Sequence, residues 1–592
     1  MYILFAALIL ALCSLFCSAA TSDLLLSVKG KPFAVIVVPA DATEPEQTAA
    51  SELASHLKQI TGAGFPIVES AGQPLSGTRI FVGQTQTAKS MMPDLDFGKL
   101  GRDGIVIRRV GDDLILAGDR PRGTLYAVYT FLEDNVGCRW WAPDASYIPK
   151  KPTLRARVKD LAYTSPFICR EAFYRNVLNR NPEFAVKLKL NGHHQGTIPP
   201  RMGGHYSILG WCHTFYHLIP PEKYFEAHPE WYSELDGKRT HTNAQLCLTN
   251  EEMRKELTKN ALQWIKGNPT AGILSISQND CAGQCMCAKC RAVVEAEGAE
   301  SGGIITFVNE VAADIEKQYP DFLVETLAYY YTRIPPKHVK ARPNVVVRFC
   351  SIDCDFSKPI TAPTNAKFYA DLKTWKEHAS RLYVWDYLMN LENLLTLHPN
   401  WPYIGPTIRA FSRNNVTNLF EQGDGYNPDA NFAVLRTWLI AHLMWNPNKD
   451  QNALIDQFLK GYYGPAAKHM REFIDLTCES MDKSGLRLPI FVRDYSSITP
   501  GDVSKAGAIF DAAESAVQGD EELLRRVRIQ RASLDHVILL NSPAEGLPTG
   551  PELKQVLDRF LSVSDQTGNN FRQEGQVMSP EYREMLKAKV GP

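Results

Sequence analysis

An amide and an acid stand side by side at the end of a strand-like segment, "ILSISQND", as Asn279 and Asp280. An aspartate in such a position can donate a proton to a leaving group and later remove one from water. Two further strand-like runs, "RLYVWDY" and "VTNLFEQGD", carry Asp386 and Glu421 near their carboxyl ends. Carboxylates beside aromatic rings are typical of glycoside cleavage, which needs a proton donor and support for positive charge on the sugar. We therefore expect these strand ends to form a glycan site.

A cysteine-rich turn follows Asp280 directly. Its four cysteines are Cys281, Cys285, Cys287 and Cys290. Local disulfides are favoured, because we expect export to an oxidising compartment. Four thiols at this density can also hold a structural zinc, and inert buried thiols are a third interpretation. In each case we expect the turn to fix the loop after Asp280 and not to act as the catalyst.

The histidines do not predict a catalytic metal. His193 and His194 are adjacent and point in different directions, and the sequence contains no His-x-x-His or His-Glu-x-x-His spacing. His213, in the loop segment "GWCHTFYHLIP", is expected to contact the substrate through hydrogen bonds. We expect no cofactor and no metal in the site.

Three regions follow one another along the chain and must position these residues. Residues 22–160 combine strands with two helices and predict an α+β sheet domain. Residues 165–450 alternate apolar strands with helices and predict a (β/α)8 barrel, in which "ILSISQND" is the fourth strand. Poorly defined strands are expected near 206–216 and 244–248. Residues 451–592 have helical periodicity and predict a helical C-terminal region.

The amino terminus and the charge balance indicate where the protein works. The first twenty residues are apolar and end in small side chains, which predicts a signal peptide over residues 1–20 and a periplasmic or extracellular protein. A membrane anchor is the alternative. Lys and Arg number 64 against 65 Asp and Glu, a balance that argues against nucleic acid as a partner. We expect a glycan or glycoprotein substrate and no further membrane contact, and we leave the oligomeric state open.

Several stretches together resemble a known family. They are "HTFYHLIPPEKYFEAHPEWYSELDGKR", "QLCLTN", "SISQNDCAGQCMCAKC", "LAYYYTRIPP", "WDYLMN" and "LFEQGDG". The barrel region resembles the bacterial domain-of-unknown-function 4838 family, which is linked to glycoside hydrolase family 163 and to endo-β-N-acetylglucosaminidase activity on N-glycans. The preceding region, from "QTAASELASHLKQITG" to "RGTLYAVYTFLEDNVGCRWWAP", is similar to the domain before the barrels of β-hexosaminidases and α-glucuronidases.

The resemblance implies a secreted, retaining hydrolase of N-acetylglucosaminides, acting within N-glycans or at their ends. In such enzymes the 2-acetamido oxygen of the substrate is the nucleophile. Asn279 then orients the acetamido N–H, and Asp280 serves as acid and then base, with Glu421 as a rival proton donor. The residues expected to bind substrate are Asp386, Trp385, Tyr330, His213 and Arg170.

Two alternatives remain open. An α-glucuronidase-like inverting hydrolase would use two carboxylates, Asp386 and Glu421, with Arg170 or Arg175 holding the uronate. A glycan-binding protein on a barrel that has lost catalysis is the non-enzymatic alternative. Released sugars from N-glycoproteins or from uronic acid-decorated xylan distinguish the three readings.

Overall fold

A computed structural model describes residues 23–69, 77–178 and 180–590. The predicted signal peptide lies outside the described residues. The chain divides into two compact units, the first formed by Met1–Arg139 with Ile148–Thr164 and the second by Trp140–Tyr147 with Ser165–Pro592. Within the described ranges, none of the helices is long and apolar enough to span a bilayer.

The strands follow the chain in this order: β1 (Leu24–Val28), β2 (Lys31–Pro32), β3 (Ala34–Val38), β4 (Ile67–Glu69), β5 (Thr78–Val82), β6 (Ile105–Val110), β7 (Asp113–Gly118), β8 (Arg139–Ala142), β9 (Ala145–Tyr147), β10 (Leu154–Ala156), β11 (Leu161–Tyr163), β12 (Cys169–Phe173), β13 (Ile208–Leu209), β14 (Glu234–Leu235), β15 (Lys238–Arg239), β16 (Ile273–Ser275), β17 (Leu323–Ala328), β18 (Val345–Cys350), β19 (Leu382–Tyr387), β20 (Val416–Gln422), β21 (Phe571–Gln573) and β22 (Gln576–Val577).

The α-helices are α1 (Glu44–Thr61), α2 (Gln86–Met91), α3 (Gly123–Phe131), α4 (Pro182–Lys187), α5 (Phe215–Leu218), α6 (Pro221–Tyr224), α7 (Glu251–Lys266), α8 (Ala288–Glu297), α9 (Ser301–Glu316), α10 (Ala366–His378), α11 (Ile404–Arg413), α12 (Ala433–Trp445), α13 (Gln451–Tyr463), α14 (Ala467–Ser484), α15 (Pro500–Ala516), α16 (Glu521–Asn541), α17 (Gly550–Thr567) and α18 (Pro580–Ala588).

The first unit contains a six-stranded mixed sheet in the order β11-β6-β7-β5-β3-β4. Helices α1 and α3 contact its strands and each other. Helix α1 begins at a capping box between Thr43 and Glu46 and ends at Gly62, whose φ of 80° lies in the left-handed region. These signals are local in sequence, which is why the helix is predictable from sequence.

The second unit is built on a curled, seven-stranded parallel sheet in the order β12-β20-β19-β18-β17-β16-β13. The first strand of this sheet in chain order, β12, therefore pairs with the last, β20, and from β20 to β13 the strands follow one another in reverse chain order. Helices lie between consecutive strands, as the alternation in the sequence predicts, except between β17 and β18, where the chain forms only a 3-10 turn at Tyr330–Thr332. The result is a mixed α/β unit with a curled, half-barrel parallel sheet, consistent with the barrel that the sequence predicts.

One irregular segment joins the two edge strands of this sheet. The Asn191 N–H donates to the Arg170 carbonyl at 3.1 Å, and the Asn191 carbonyl accepts from the Tyr206 N–H at 2.7 Å. Residue 191 thus occupies the position between β12 and β13 without being a regular strand. The strand expected near 244–248 is instead an isolated antiparallel bridge between Leu246 and Tyr232. Among the described strands of the sheet, β16 is accordingly third in chain order.

The C-terminal region is mostly helical, with one departure from the prediction. Helices α13 to α17 each contact the next one, and between α17 and α18 the chain forms the antiparallel hairpin β21–β22. The side chain of Asn427, beyond β20, exchanges hydrogen bonds with the backbone of Phe571 at 2.9 Å each way. The hairpin is therefore held against the carboxyl-end loops of the parallel sheet.

Candidate functional site

A cavity of about 350 Å³ lies at the carboxyl ends of the parallel strands. This is where parallel α/β folds gather their functional side chains. The loops after β13, β16 and β17 and the last residues of β18, β19 and β20 supply most of the wall. The described lining residues are Phe173, His194, Trp211, Cys212, His213, Asp280, Leu327, Tyr329, Cys350, Ile352, Trp385, Tyr387, Leu391, Phe420, Gln422, Phe491 and Glu574.

Aromatic rings form the floor of the cavity. Trp211, Trp385 and Phe420 make a triangle with ring centroids 5.0 to 5.5 Å apart. His194 packs edge-on against Trp211 with centroids 4.4 Å apart. Aromatic faces suit the apolar C–H face of a sugar, and polar groups at the rim of the rings suit its hydroxyls.

Asp280 stands at the edge of the cavity with 66% of its side chain exposed. One carboxylate oxygen, Oδ1, lies 3.9 Å from Nε2 of His213. The other ring nitrogen, Nδ1, is 2.7 Å from the Gln278 carbonyl, so Nδ1 carries the hydrogen and Nε2 faces the carboxylate. Burial, followed by the charge of Asp280, raises the pKa of Tyr329. Asp280, His213 and Tyr329 therefore form one polar wall.

The backbone of this wall is strained. Trp211 and His213 both have φ of 55°, and Tyr330 has φ of 56°. Residues other than glycine rarely have a backbone in this left-handed region, and such strained residues are frequent at functional sites. The strain aims the ring of Trp211 and the imidazole of His213 into the cavity.

Glu574, which the sequence analysis did not identify, supplies a second carboxyl group to the cavity. It lies at the turn of the β21–β22 hairpin, far from the sheet in sequence. Nε2 of Gln422 donates to Oε1 of Glu574 at 2.7 Å, and Nε1 of Trp385 donates to Oε1 of Gln422 at 2.6 Å. Burial raises the pKa of Glu574 although the Gln422 hydrogen bond opposes the rise. The Gly-containing turn sequence "RQEGQV", between two helical stretches, is the pattern from which this hairpin could have been predicted.

The structure does not bring Asp386 and Glu421 to this cavity. They are register partners on β19 and β20, and they lie 2% and 0% exposed on the face opposite to Trp385 and Phe420. Successive residues of a strand point to opposite faces, so Trp385 and Asp386 cannot share one site. Burial raises the pKa of Asp386 to about 6, and burial with the Asp386 charge raises that of Glu421 well above its usual range. The structure thus separates both residues from the cavity that holds Asp280, whereas the sequence predicts them in one site.

Three other expected site residues also lie outside the cavity lining. The Asn279 side chain donates through Nδ2 to the Ala244 carbonyl at 2.9 Å, which ties it to the neighbouring loop. Tyr330 is 61% exposed and points elsewhere. Arg170 is fully buried and donates to the backbone carbonyls of Lys189 and Phe167 at 2.8 and 2.6 Å. Arg170 thus has a structural role and is not placed to hold a uronate.

Beneath the aromatic floor, buried charges are paired. Oε1 of Glu171 contacts Nδ1 of His194 at 2.5 Å, and Oε2 accepts from the Tyr383 hydroxyl at 2.8 Å. Although burial opposes it, the charge and hydrogen bonds of His194 lower the pKa of Glu171 to about 2. Nε of Arg348 lies 3.1 Å from Oε1 of Glu325, with both side chains fully buried. These groups orient His194 and the aromatic rings above them.

The cysteines near Asp280 are not arranged as disulfides. Sγ atoms of Cys247, Cys285, Cys287 and Cys290 all lie within 4.8 Å of one another, and all four side chains are buried. None of these four cysteines forms a disulfide, and neither does Cys281, which lies outside the cluster. The prediction of local disulfides is therefore wrong for this arrangement. Cys247, from "QLCLTN", is the member that sequence spacing did not reveal, because it comes from a distant segment that is held to the turn by hydrogen bonds of Gln245 to Gly283 and Cys281.

Sequence comparison identifies the region that carries this site. Residues 140–475 match the family described as "Domain of unknown function (DUF4838)". The chain belongs to this family. Residues 27–131 match the description "Glycosyl hydrolase family 67 N-terminus". No curated protein matches the chain.

Solved structures similar to this DUF4838 protein include glycoside hydrolases. One is a 4-O-methyl-α-glucuronidase of family GH115 with specificity for decorated arabinogalactans, at 12% identity and a TM-score of 0.61, covering 96% of this chain and 81% of that one. The structure of CpGH84D has 10% identity and a TM-score of 0.49, with 96% and 97% coverage. A GH138 enzyme targeting pectin rhamnogalacturonan II has 12% identity and a TM-score of 0.45, with 93% and 76% coverage.

The DUF4838 match and the cavity do not have the same limits. Asp280, His213, Tyr329 and Trp385 lie within the matched region. Glu574 lies beyond its end. The DUF4838 region contains the polar wall, and the C-terminal hairpin contributes the second carboxyl group. Together the comparisons identify a glycoside hydrolase-like fold.

Proposed function

We propose that the protein is a glycoside hydrolase whose substrate binds in the cavity at the carboxyl ends of β12 to β20, within a (β/α)8 barrel closed through the segment around Asn191. One observation carries the proposal. The described residues lining this cavity combine aromatic rings with two carboxyl groups, Asp280 and Glu574. Rings hold the sugar, and a carboxyl group is the usual proton donor to a glycosidic oxygen.

The substrate class in this proposal is an N-acetylglucosaminide. Among the described lining residues there is no arginine or lysine, the residues that pair most readily with a uronate. Two arginines that could bind a uronate have other partners: Arg170 donates to the Lys189 backbone carbonyl, and Arg348 pairs with Glu325. A neutral sugar therefore fits the cavity better than a glucuronate does.

Asp280 is the proton donor in this mechanism, and it returns as the base when water attacks. The acetamido oxygen of the substrate attacks the anomeric carbon, so the configuration is retained. Glu574 accepts the acetamido N–H. The resemblance implies this role for Asn279, but the Asn279 side-chain amide donates to the Ala244 carbonyl instead. Nε2 of His213 lies 3.9 Å from Oδ1 of Asp280, and because Nδ1 donates to the Gln278 carbonyl, this nitrogen stabilises the carboxylate left after proton donation when the ring is protonated.

A second groove supports action within a glycan chain. It has a volume of about 740 Å³ and shares His213 with the cavity. Its wall includes the rings of Tyr216, Phe225 and His241 and the carboxylates of Glu222 and Glu226. Aromatic rings beyond the first sugar position provide further subsites.

We also propose that the protein is exported, as its apolar leader predicts.

The test is hydrolysis of three substrates, namely an aryl β-N-acetylglucosaminide, an N-glycoprotein and uronic acid-decorated xylan. Mass spectrometry identifies the released sugar and NMR its anomeric configuration. We expect N-acetylglucosaminide products with retained configuration. Release of uronic acid with inversion would replace this proposal by the glucuronidase alternative, and glycan binding without any product would identify a binding protein.

Asp353→Asn is a matched control for Asp280→Asn. Asp353 is 61% exposed and follows β18 as Asp280 follows β16, but it does not line the cavity. Its ion pair with Arg333, at 3.2 Å, has an exposed carboxylate, and Arg333 keeps a second carboxylate partner in Asp371 at 3.3 Å, so we expect the fold to tolerate the change. Asp353→Asn should keep near wild-type turnover, while Asp280→Asn should lose roughly 100- to 10,000-fold.

A further inference from the structure

The cluster of Cys247, Cys285, Cys287 and Cys290 has the dimensions of a metal site. Sγ of Cys247 lies 3.8 Å from Sγ of both Cys287 and Cys290. A tetrahedral zinc with Zn–S bonds of about 2.3 Å requires sulphur atoms about 3.8 Å apart. A disulfide requires about 2.05 Å. Cys247 is also equally far from two partners, which suits four ligands around one ion and does not suit one covalent pair.

We infer that these four cysteines bind a structural zinc ion. Four thiolates and tetrahedral geometry are the preferred environment of zinc in closed sites, and all four ligand positions are filled by protein. The side chains are 4% to 8% exposed, so the ion would be shielded from water. The site is structural because no position is left for a substrate or a catalytic water.

The surroundings suit thiolate ligands. The Glu234 N–H donates to Sγ of Cys285 at 3.3 Å, and Nη1 of Arg239 lies 3.6 Å from the same sulphur. Oγ1 of Thr249 lies 3.2 Å from Sγ of Cys290. Four thiolates around a divalent ion carry a net double negative charge, which the Arg239 guanidinium and these hydrogen bonds offset. Outer groups of this kind hold metal ligands in place.

The zinc would organise the loop that carries Asp280. Gln245, two residues before Cys247, is 2% exposed and bridges to the backbone on both sides of Asp280. Its Oε1 accepts from the Asn279 N–H at 2.9 Å, and its Nε2 donates to the carbonyls of Asn279 and Cys281 at 3.0 and 2.7 Å. Loss of the ion would free both the segment around Cys247 and the turn after Asp280, and the Gln245 bridge between them would then weaken.

Metal content tests the inference without reference to activity. The full-length protein is purified without added metal, and bound metals are measured by plasma mass spectrometry. We expect about one zinc per chain, released when a mercurial reagent titrates the thiols. Cobalt substitution should give thiolate-to-cobalt charge transfer and the visible bands of tetrahedral cobalt. Both measurements use the wild-type chain, so they do not depend on a variant that folds.

Two variants locate the site. Cys287→Ser should lose the zinc, whereas Cys281→Ser should keep it, because Cys281 lies in the same turn but outside the cluster. Disulfide-linked peptides that join any of the four cysteines, with no stoichiometric metal, would overturn the inference. Iron in place of zinc would overturn the identity of the ion, and equal zinc in both variants would overturn its location. The proposed glycosidase function stands or falls separately.

Discussion

Replacing Asp386 by Asn separates a buried structural acid from a catalytic one. In the folded protein burial raises the pKa of Asp386 from 3.8 to about 6. Each pKa unit corresponds to about 1.36 kcal/mol, so the first ionisation of the buried pair formed by Asp386 and Glu421 costs on the order of 3 kcal/mol of folding free energy. The sign follows from proton linkage, because the folded state binds this proton more tightly than the unfolded state. The stabilisation is fully present below about pH 4. It is lost as the pH rises through about 6.

The assay is urea denaturation of the wild type and Asp386→Asn between pH 4 and pH 8. Asn cannot ionise and still accepts from the Ser351 hydroxyl, which lies 2.5 Å from Oδ1 of Asp386. The free energy of unfolding of the variant should be close to that of the wild type at pH 4. At pH 8 it should be higher by up to about 3 kcal/mol. Turnover should stay within a few fold, because Asp386 lies on the face opposite to Trp385.

Ser351→Ala provides the complementary variant. The Ser351 hydrogen bond lowers the pKa of Asp386 against the effect of burial, so its removal should move the loss of stability to higher pH. A stability difference between Asp386→Asn and wild type that does not change with pH would refute the reasoning. So would a loss of turnover above roughly 100-fold, the usual contribution of a general acid or base, which the inverting alternative requires.

Three other predictions concern the site and the scaffold. In steady-state kinetics, Asp280→Asn should lose less activity on a substrate with a good phenolate leaving group, whereas Glu574→Gln should lose equally on all leaving groups; the reverse pattern would exchange the two roles. Gly423→Ala should destabilise the fold by several kcal/mol in denaturant titration, because its Cβ would lie 2.0 Å from the Tyr174 ring. Thr43→Ala should cost about 1 kcal/mol through loss of the α1 capping box, and an unchanged melting temperature would contradict this.

Local patterns in the sequence predicted much of this architecture. The capping box of α1 and the alternation of strands with helices are encoded within a few residues of one another, so the elements could be located without the fold. Because side chains alternate along a strand, Trp385 and Asp386 lie on opposite faces of β19. The expectation that both residues bind substrate conflicts with this alternation.

The parts that sequence could not supply depend on contacts between distant segments. Cys247 joins the other three cysteines because the chain around Tyr232 and Leu246 folds back over the turn after Asp280. Glu574 reaches the cavity because Asn427 exchanges hydrogen bonds with Phe571 across 144 residues of sequence. Neither pairing leaves a spacing signal in one chain, and both concern the proposed site more than the scaffold.

The position of Glu574 also sets an order of events during synthesis. Asp280 and its loop leave the ribosome long before the β21–β22 hairpin is made, and the sheet from β12 to β20 is complete in the nascent chain by then. The cavity gains its second carboxyl group only when the hairpin folds onto Gln422. In the proposed mechanism, a chain that ends before this hairpin would keep the aromatic floor but lack Glu574, so hydrolysis would require that the C-terminal hairpin has folded into place.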